Sequence, residues 1–192
     1  MGRMRPGRLE NVLVGVASCS AAAWACLAGF HGGFWRTDIR LRASDAAAGR
    51  TWPDVAVLVP ARDEADVLPR TLPSLLEQRY PGRFSVTLVD DCSSDGTAEV
   101  ARGLDRKGIL TVLAGSGTPP GWAGKVWALE QGRRAAGEAP FVLLTDADIK
   151  HPPDSVARLV STAERENRDL VSVMARLHTE SAWERLLVPA FV

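Results

Sequence analysis

The chain has 192 residues, which is enough for one domain with a packed core and an additional segment. Its 23 basic residues balance its 23 acidic residues, so the charge gives no reason to expect nucleic acid as a partner. The three cysteines, Cys19, Cys26 and Cys92, lack the paired spacing of a zinc site, and their odd number argues against a disulfide framework. We therefore expect the soluble part of the chain to lie in a reducing compartment.

The N-terminal part of the chain is apolar. Residues 1–11 form a basic N-terminus, and the next 19 residues, Val12 to Phe30, carry no formal charge. A helix of that length is long enough to cross a bilayer, so we predict a single transmembrane helix over residues 12–35. Two alternatives stay open: a signal peptide, since "VASC" at 16–19 resembles a lipoprotein cleavage site, and a helix buried in a soluble protein.

Residues 36–53 are polar, contain glycine and proline, and are interpreted as a linker. From residue 54 onwards, apolar stretches alternate with amphipathic ones. The predicted strands cover residues 55–60, 84–91, 109–115, a stretch beginning at 141, and 169–177. The predicted helices cover residues 66–78, 97–108, 125–137 and a stretch beginning at 153–154. This alternation is typical of an α/β domain with a doubly wound, mostly parallel sheet.

Three of the predicted strands end in loops rich in acidic residues. "PARDEAD" follows the first strand, "DDCSSDG" the second and "DADIKH" the fourth. Ligands of parallel α/β sheets bind beyond the carboxyl ends of the strands, where crowded carboxylates repel one another unless a cation neutralises them. Mg²⁺ and Mn²⁺ bind carboxylate oxygens, and the same ion often also binds the phosphate oxygens of a substrate. We therefore predict that Asp146 and Asp148 bind Mn²⁺ or Mg²⁺, and that the ion holds a diphosphate.

Other motifs of nucleotide and metal sites are incomplete in this chain. "AGSGTPPG" follows a strand but is not GxGxxG, and no GxxxxGK[ST] loop is present. "DCSSDG" begins like a calcium loop, but the twelfth position from Asp91 is Arg102 instead of glutamate. "SDGT" has Ser93 where a phosphatase of the haloacid-dehalogenase type has its nucleophilic aspartate. Each of these alternatives lacks a residue that its chemistry requires.

Four motifs occur in an order that resembles the nucleotide-sugar half of the family 2 glycosyltransferases. They are "PARDEA", "DDCSSDGT", "GWAGKVWAL" and "DADI", the last being a DXD motif. "PPGWAGKVWAL", "LLTDADIKHPPDS" and "ESAWERLLVPAFV" resemble more narrowly the hopene-associated glycosyltransferases of bacteria. The resemblance covers residues 54–192 and implies a nucleotide-sugar-binding domain with the Rossmann-like GT-A fold.

The resemblance implies donor-binding roles at the ends of the first two strands. Ala61, Arg62 and Glu64 would line the nucleotide pocket. Asp90 or Asp91 would accept a hydrogen bond from the base or the ribose, and the choice between them stays open.

It also implies roles for four residues further along the chain. Asp95 would belong to the donor site, with capping of the helix that starts at Thr97 as the alternative. Lys125 would lie near the nucleotide and offset phosphate charge, with an ordinary surface lysine as the alternative. Asp146 would contact both donor and metal, and Asp148 the metal.

The catalytic residues are not identified in the sequence. Inverting sugar transfer needs a base that takes the proton of the acceptor hydroxyl. The resemblance implies that this carboxylate lies in a later motif, beyond Val192. We therefore expect this chain to be an N-terminal portion of the family's domain, incomplete at its C-terminus. The chain by itself is then expected to lack transfer activity.

The predicted function is transfer of a sugar from a nucleotide diphosphate sugar, with UDP as the expected nucleotide. The expected acceptor is a lipid, of the polyprenyl type or in hopanoid-associated metabolism. The alternative is a truncated remnant that binds a nucleotide sugar and transfers nothing. Because nucleotide sugars are cytoplasmic metabolites, we predict a single-pass protein of the bacterial inner membrane whose GT-A domain faces the cytoplasm. The arginines on either side of the apolar run nearly balance and do not by themselves fix this orientation.

Overall fold

The computed structural model describes residues 6–30, 41, 51–175 and 181–187, and the chain divides into two units, 1–40 and 41–192. The first unit contains helix α1, Pro6–Phe30. Its part from Glu10 to Phe30 is long and apolar enough to cross a membrane, and its side chains there are exposed. The predicted span 12–35 overlaps this helix as far as Phe30, and residues 31–35 lie outside the described residues.

The second unit alternates strands and helices along the chain. In order, its elements are β1 (Val55–Ala61), α2 (Leu68–Leu76), β2 (Phe84–Asp90), α3 (Thr97–Leu104), β3 (Leu110–Ala114), α4 (Gly124–Ala136), β4 (Phe141–Leu144), α5 (Ser155–Glu166) and α6 (Ala182–Leu187).

The strands form one parallel sheet in the order β3-β2-β1-β4. In the register of the sheet, Val55 of β1 lies beside Phe84 of β2 and Phe141 of β4. Ala61 lies beside Asp90, so β1 and β2 end level with each other. The acidic loops that follow β1, β2 and β4 therefore open at the same edge of the sheet, as the sequence predicts.

Helices cover both faces of the two central strands, which explains why these strands are apolar throughout. On one face, Val57 and Val59 of β1 belong to a core cluster with leucines of α2 and with Val156 and Val160 of α5. On the other face lies α4. A Cβ added to Gly132 of α4 would be 3.0 Å from Cγ2 of Val89 and 3.5 Å from Cδ2 of Leu58. The glycine thus lets the helix lie close to the sheet. This arrangement confirms the doubly wound α/β fold.

Two predicted elements differ in the structure. The helix predicted over 97–108 ends at Leu104, because the carboxylate of Asp105 accepts hydrogen bonds from the backbone N–H groups of residues 107–110 and turns the chain into β3. The strand predicted over 169–177 is wrong in its described part, residues 169–175, which contain no strand. Its composition is that of a strand, but a strand exists only through pairing, and within the described residues this segment pairs with none. Residues 176–177 lie outside the described residues.

Candidate functional site

A cleft of about 350 Å³ opens at the carboxyl edge of the sheet, between the loops after β1, β2 and β4 and the start of α4. It brings together most of the residues that the sequence predicts for the site. Its lining consists of Pro60, Ala61, Arg62, Glu64, Asp91, Gly124, Lys125, Ala128, Asp146, Ala147 and Asp148. Asp90 and Asp95 are not among these lining residues.

The two carboxylates of the DXD motif follow β4 and are exposed to solvent, whereas Ala147 between them is buried. Oδ1 of Asp146 lies 2.6 Å from Nζ of Lys125, and both side chains are more than half exposed. An ion pair exposed to this degree contributes at most about 1 kcal/mol to stability. The two side chains can therefore separate and contact a ligand instead, at little cost to the stability of the fold.

Lys125 occupies the first turn of α4, which contains no acidic residue. A cation there is electrostatically unfavourable, since the N-terminus of a helix already carries partial positive charge. Asp146 offsets this cost. A Cβ added to Gly124 would lie 3.3 Å from Oδ2 of Asp91, so the helix begins close to a second carboxylate. The start of α4 thus brings positive potential into a cleft whose other charged lining residues are four acids and Arg62.

The pKa of Glu64 is affected by the negative charges around the cleft. Burial raises the pKa of its carboxyl above the ordinary value, and the negative charges of Asp148, Asp95 and Asp146 raise the pKa further. These acids therefore share one region of negative potential, in which a cation is stabilised.

Arg62 and Asp91, which are both predicted to contact the nucleotide, lie close to each other in the cleft. Nη1 of Arg62 lies 3.8 Å from Oδ2 of Asp91, whose side chain is only 13% exposed. The neighbouring Asp90 instead accepts a hydrogen bond from the backbone N–H of Ser93, at 3.3 Å. Of the two aspartates that the sequence leaves open, Asp91 is the one that lines the cleft.

The carboxylate of Asp95 joins the loops after β1 and β2. Oδ2 accepts a hydrogen bond from the backbone N–H of Ala65, and Oδ1 accepts one from the backbone N–H of Thr97. The hydroxyl of Thr97, together with these two backbone donors, lowers the pKa of Asp95. The residue at the N-cap of α3 is Gly96, with φ of 86°. Asp95 thus fastens the two loops and supports the start of α3, and a contact between Asp95 and a donor nucleotide stays a prediction.

Three further hydrogen bonds reinforce this junction. Asp63 adopts a positive φ of 54°, which aspartate tolerates better than most residues. Its backbone N–H donates to Oγ of Ser93 at 2.9 Å, and its carboxylate accepts from the backbone N–H of Ser94 at 2.8 Å. The backbone N–H of Glu64 donates to Oγ1 of Thr97 at 2.9 Å. The side chains of Arg62 and Glu64 are therefore presented from a loop that is already fixed.

The carboxylates of Asp146 and Asp148 fit a hard divalent cation by their chemistry. Within the described residues, no cluster of three or more histidine, cysteine, aspartate or glutamate side chains is arranged to hold a metal. An ion bound by these two carboxylates would take its other ligands from water and from a diphosphate, which is usual for Mg²⁺. The donor set therefore suits an ion that arrives with its substrate.

His151 follows the DXD motif, but its ring contacts hydroxyl groups. Nε2 lies 3.0 Å from Oγ1 of Thr145, and Nδ1 lies 3.5 Å from Oγ of Ser155. Burial lowers the pKa of the ring, so its neutral form is favoured. These contacts assign His151 to the internal structure of the loop.

Sequence reasoning missed three polar residues in and just after α2 that support the loop after β4. Thr71 and Ser74 lie on α2, whose leucines face the core, and Gln78 follows two residues after its last residue, Leu76. The three are spaced three and four residues apart and form one polar stripe. Each contacts the segment 147–156. The stripe was visible in the sequence, but nothing local indicated what it would contact.

Residues 56–189 match the sequence model of the family described as Glycosyl transferase family 2. An undecaprenyl-phosphate 4-deoxy-4-formamido-L-arabinose transferase of Proteus mirabilis (strain HI4320) is 32% identical over 136 residues, covering 68% of this chain and 39% of that protein. A 4,4'-diaponeurosporenoate glycosyltransferase of Staphylococcus haemolyticus (strain JCSC1435) is 30% identical over 129 residues, covering 65% of this chain and 32% of that protein.

Among solved structures, the mannosyltransferase PcManGT from Pyrobaculum calidifontis, in complex with GDP-Man and Mn²⁺, is 31% identical. It superposes with a TM-score of 0.51 over 64% of this chain and 36% of that chain. The chain thus spans about a third of the length of these similar proteins. None of the three names refers to hopene, so the narrower likeness to hopene-associated enzymes stays a prediction.

Proposed function

The chain belongs to glycosyl transferase family 2 and has the GT-A fold, and on this premise we propose that it binds the nucleotide-sugar donor of a metal-dependent, inverting sugar transfer. One observation carries the proposal. Lys125 and the two aspartates of the DXD motif meet in the same cleft as Arg62, Glu64 and Asp91. A cation, a diphosphate and a nucleoside each find suitable groups there.

The phosphate side of the cleft is formed by Lys125, Asp146 and Asp148. The two carboxylates would hold Mn²⁺ or Mg²⁺, whose charge offsets the negative charge of the departing nucleoside diphosphate. Lys125 would leave Asp146 and bind a phosphate oxygen through a charge-assisted hydrogen bond. Because the Lys125–Asp146 pair is exposed, this exchange costs little.

The nucleoside side is formed by the fixed loops after β1 and β2. Asp91 would accept hydrogen bonds from the ribose or the base, with Arg62 and Glu64 beside it. We propose a UDP-sugar as the first donor to test. A GDP-sugar is the second, since the similar mannosyltransferase structure contains GDP-Man.

A lipid acceptor is proposed from two observations. The Proteus mirabilis relative is named for undecaprenyl phosphate, a lipid phosphate. Helix α1 has the length and composition of a membrane span. The proposed site of action is the cytoplasmic face of the bacterial inner membrane, with a polyprenyl-type acceptor ahead of a hopanoid one. No residue of the cleft is assigned as the base that activates the acceptor.

The proposal is tested by titrating the 192-residue chain with UDP and with GDP, with and without Mn²⁺. We expect Mn²⁺ to strengthen binding of one nucleotide, and Asp148→Asn to remove that increase. If each nucleotide binds with the same affinity with and without Mn²⁺, the proposal that the donor site depends on a metal is wrong. A radiolabelled-donor assay on membranes then separates sugar transfer from binding alone, which is the alternative function.

A further inference from the structure

A buried hydrogen bond ties the polar stripe of α2 to the backbone of the DXD motif. Oγ1 of Thr71 donates to the carbonyl oxygen of Ala147 at 2.7 Å, across 76 positions of sequence. Thr71 and Ala147 are each 6% exposed. The hydroxyl also lies 3.2 Å from the carbonyl oxygen of Val67, the usual partner of a helical threonine. The shorter contact is the one with Ala147.

Ala147 stands between the two carboxylates that would bind the metal. Its carbonyl belongs to the peptide unit that leads into Asp148, so fixing the carbonyl fixes the direction in which the chain enters that residue. Asp146 is paired with Lys125 through an exposed contact. Among the described residues, no side-chain donor binds Asp148. The backbone of the loop therefore sets the positions from which the two side chains reach an ion.

The rest of the stripe fixes the far end of the same loop. Oγ of Ser74 accepts a hydrogen bond from the backbone N–H of His151 at 2.9 Å. Nε2 of Gln78 donates to the carbonyl oxygen of Pro152 at 2.7 Å, and Oε1 of Gln78 accepts from the backbone N–H of Val156 at 3.2 Å. Helix α2 and Gln78 just after it thus contact the loop after β4 at residues 147, 151 and 152, and the start of α5 at Val156.

From these contacts we propose that Thr71 is a positioning residue for metal binding by Asp146 and Asp148. Groups that hold metal ligands in position affect metal affinity, because the ion requires its ligands in a narrow range of geometries. The inference rests on the proposed function, since it assumes that these carboxylates bind a divalent cation.

The test compares Thr71→Val, which keeps the shape of the side chain and removes the hydroxyl, with Thr71→Ser, which keeps the hydroxyl. Mn²⁺ affinity is measured from the electron paramagnetic resonance signal of free Mn²⁺, in the presence of UDP or GDP. We expect Thr71→Val to weaken Mn²⁺ binding by about 10- to 100-fold, the usual effect of losing such a supporting contact. Thr71→Ser should bind Mn²⁺ like the wild type.

Two further measurements separate positioning from a loss of stability. Nucleotide affinity without metal should be unchanged in Thr71→Val, because the loops after β1 and β2 are held by their own hydrogen bonds. The control is Thr87→Val, the same change at another buried threonine, in β2. It should leave Mn²⁺ affinity unchanged.

Several results would overturn the inference. One is a Thr71→Val protein that is less stable but binds Mn²⁺ like the wild type. If Thr71→Val does not fold, Thr71→Ala, which also removes the hydroxyl, decides by the same measurements, and an unchanged Mn²⁺ affinity in that variant rejects the inference. If the wild type binds no Mn²⁺ with either nucleotide, the metal in the proposed function fails and the inference falls with it.

Discussion

The two walls of the cleft are both acidic, but they are built differently. In the wall formed by the loops after β1 and β2, Asp63 and Asp95 accept hydrogen bonds from backbone N–H groups of the opposite loop. In the wall after β4, the carboxylate of Asp146 is paired, within the described residues, with an exposed lysine, and α2 supports the loop from behind. The first wall is complete without a ligand. The second keeps its carboxylates available. Asp63 and Asp95 are therefore structural acids of the first wall, whereas Glu64 and Asp91 of that wall line the cleft together with Asp146 and Asp148.

The strongest disruption of the first wall should come from Gly115→Ala. A Cβ at this position would lie 2.7 Å from the carbonyl oxygen of Asp90, which is backbone and cannot move aside cheaply. We expect a loss of about 1–3 kcal/mol of stability, the usual cost of overpacking, together with weaker nucleotide binding. Urea unfolding measures the first effect. The control is Gly117→Ala, where a Cβ has no neighbour within 4 Å; equal stabilities of the two variants would contradict the close approach.

A matched pair of substitutions compares the two walls directly. The carboxylate of Asp95 accepts hydrogen bonds through both oxygens. In Asp95→Asn one oxygen becomes an NH₂ group, which cannot accept, so one backbone N–H loses its acceptor and we expect a lower unfolding temperature. Asp146→Asn removes only an exposed ion pair, and its stability should stay within about 1 kcal/mol of the wild type. Differential scanning calorimetry near neutral pH compares them. A larger loss in Asp146→Asn would reverse our assignment of the two walls.

The pH dependence of the Asp95 effect has a defined sign. Hydrogen bonds lower the pKa of Asp95 in the folded protein. Its stabilising contribution is therefore present above the pKa of the unfolded chain and is lost as the pH falls through the folded pKa. We expect the wild type and Asp95→Asn to converge in stability on the acidic side. A gap that stays constant down to the lower folded pKa would argue against this hydrogen-bonded carboxylate.

Glu64 should behave in the opposite way. Its pKa is raised by burial and by the acids around it, so its ionised form destabilises the fold. For such a carboxyl, stability is highest at low pH and falls as the pH rises through the raised pKa. Glu64→Gln should therefore be more stable than the wild type at neutral pH, with a difference that vanishes as the pH approaches about 4, the ordinary range of a glutamate carboxyl. Thermal unfolding across this pH range checks the sign, and a less stable Glu64→Gln at neutral pH would contradict it.

The smallest effect on stability is expected for Lys125→Gln. The variant loses an exposed ion pair, so its stability should change by less than about 1 kcal/mol, while its affinity for UDP or GDP should fall. Lys150→Gln is the charge-matched control, because Lys150 is exposed, lies two residues after Asp148 and does not line the cleft. If both variants bind nucleotide equally, the effect is one of net charge, and Lys125 has no specific role.

The sequence alone predicted the fold class and the edge of the sheet at which the candidate site lies. The two central strands, β1 and β2, are apolar because helices cover both their faces, and this pattern can be recognised locally in the sequence. The family was also readable, because four motifs in order resemble family 2 glycosyltransferases and the family model then matched residues 56–189. Acidic loops after parallel strands meet at one edge of the sheet, so the sequence predicts that the loop of Asp90 and Asp91 lies near the loop of Asp146.

The tertiary structure decided what each acid does. Asp95 and Asp148 look alike in the sequence, but only Asp95 meets a backbone N–H from a loop 30 positions away. The partner of Thr71 lies 76 positions away, and the segment 169–175 is not a strand because pairing requires a neighbour that its composition cannot supply. Local patterns fix which face of an element is apolar, whereas the partner of a polar group depends on which distant segment folding brings beside it.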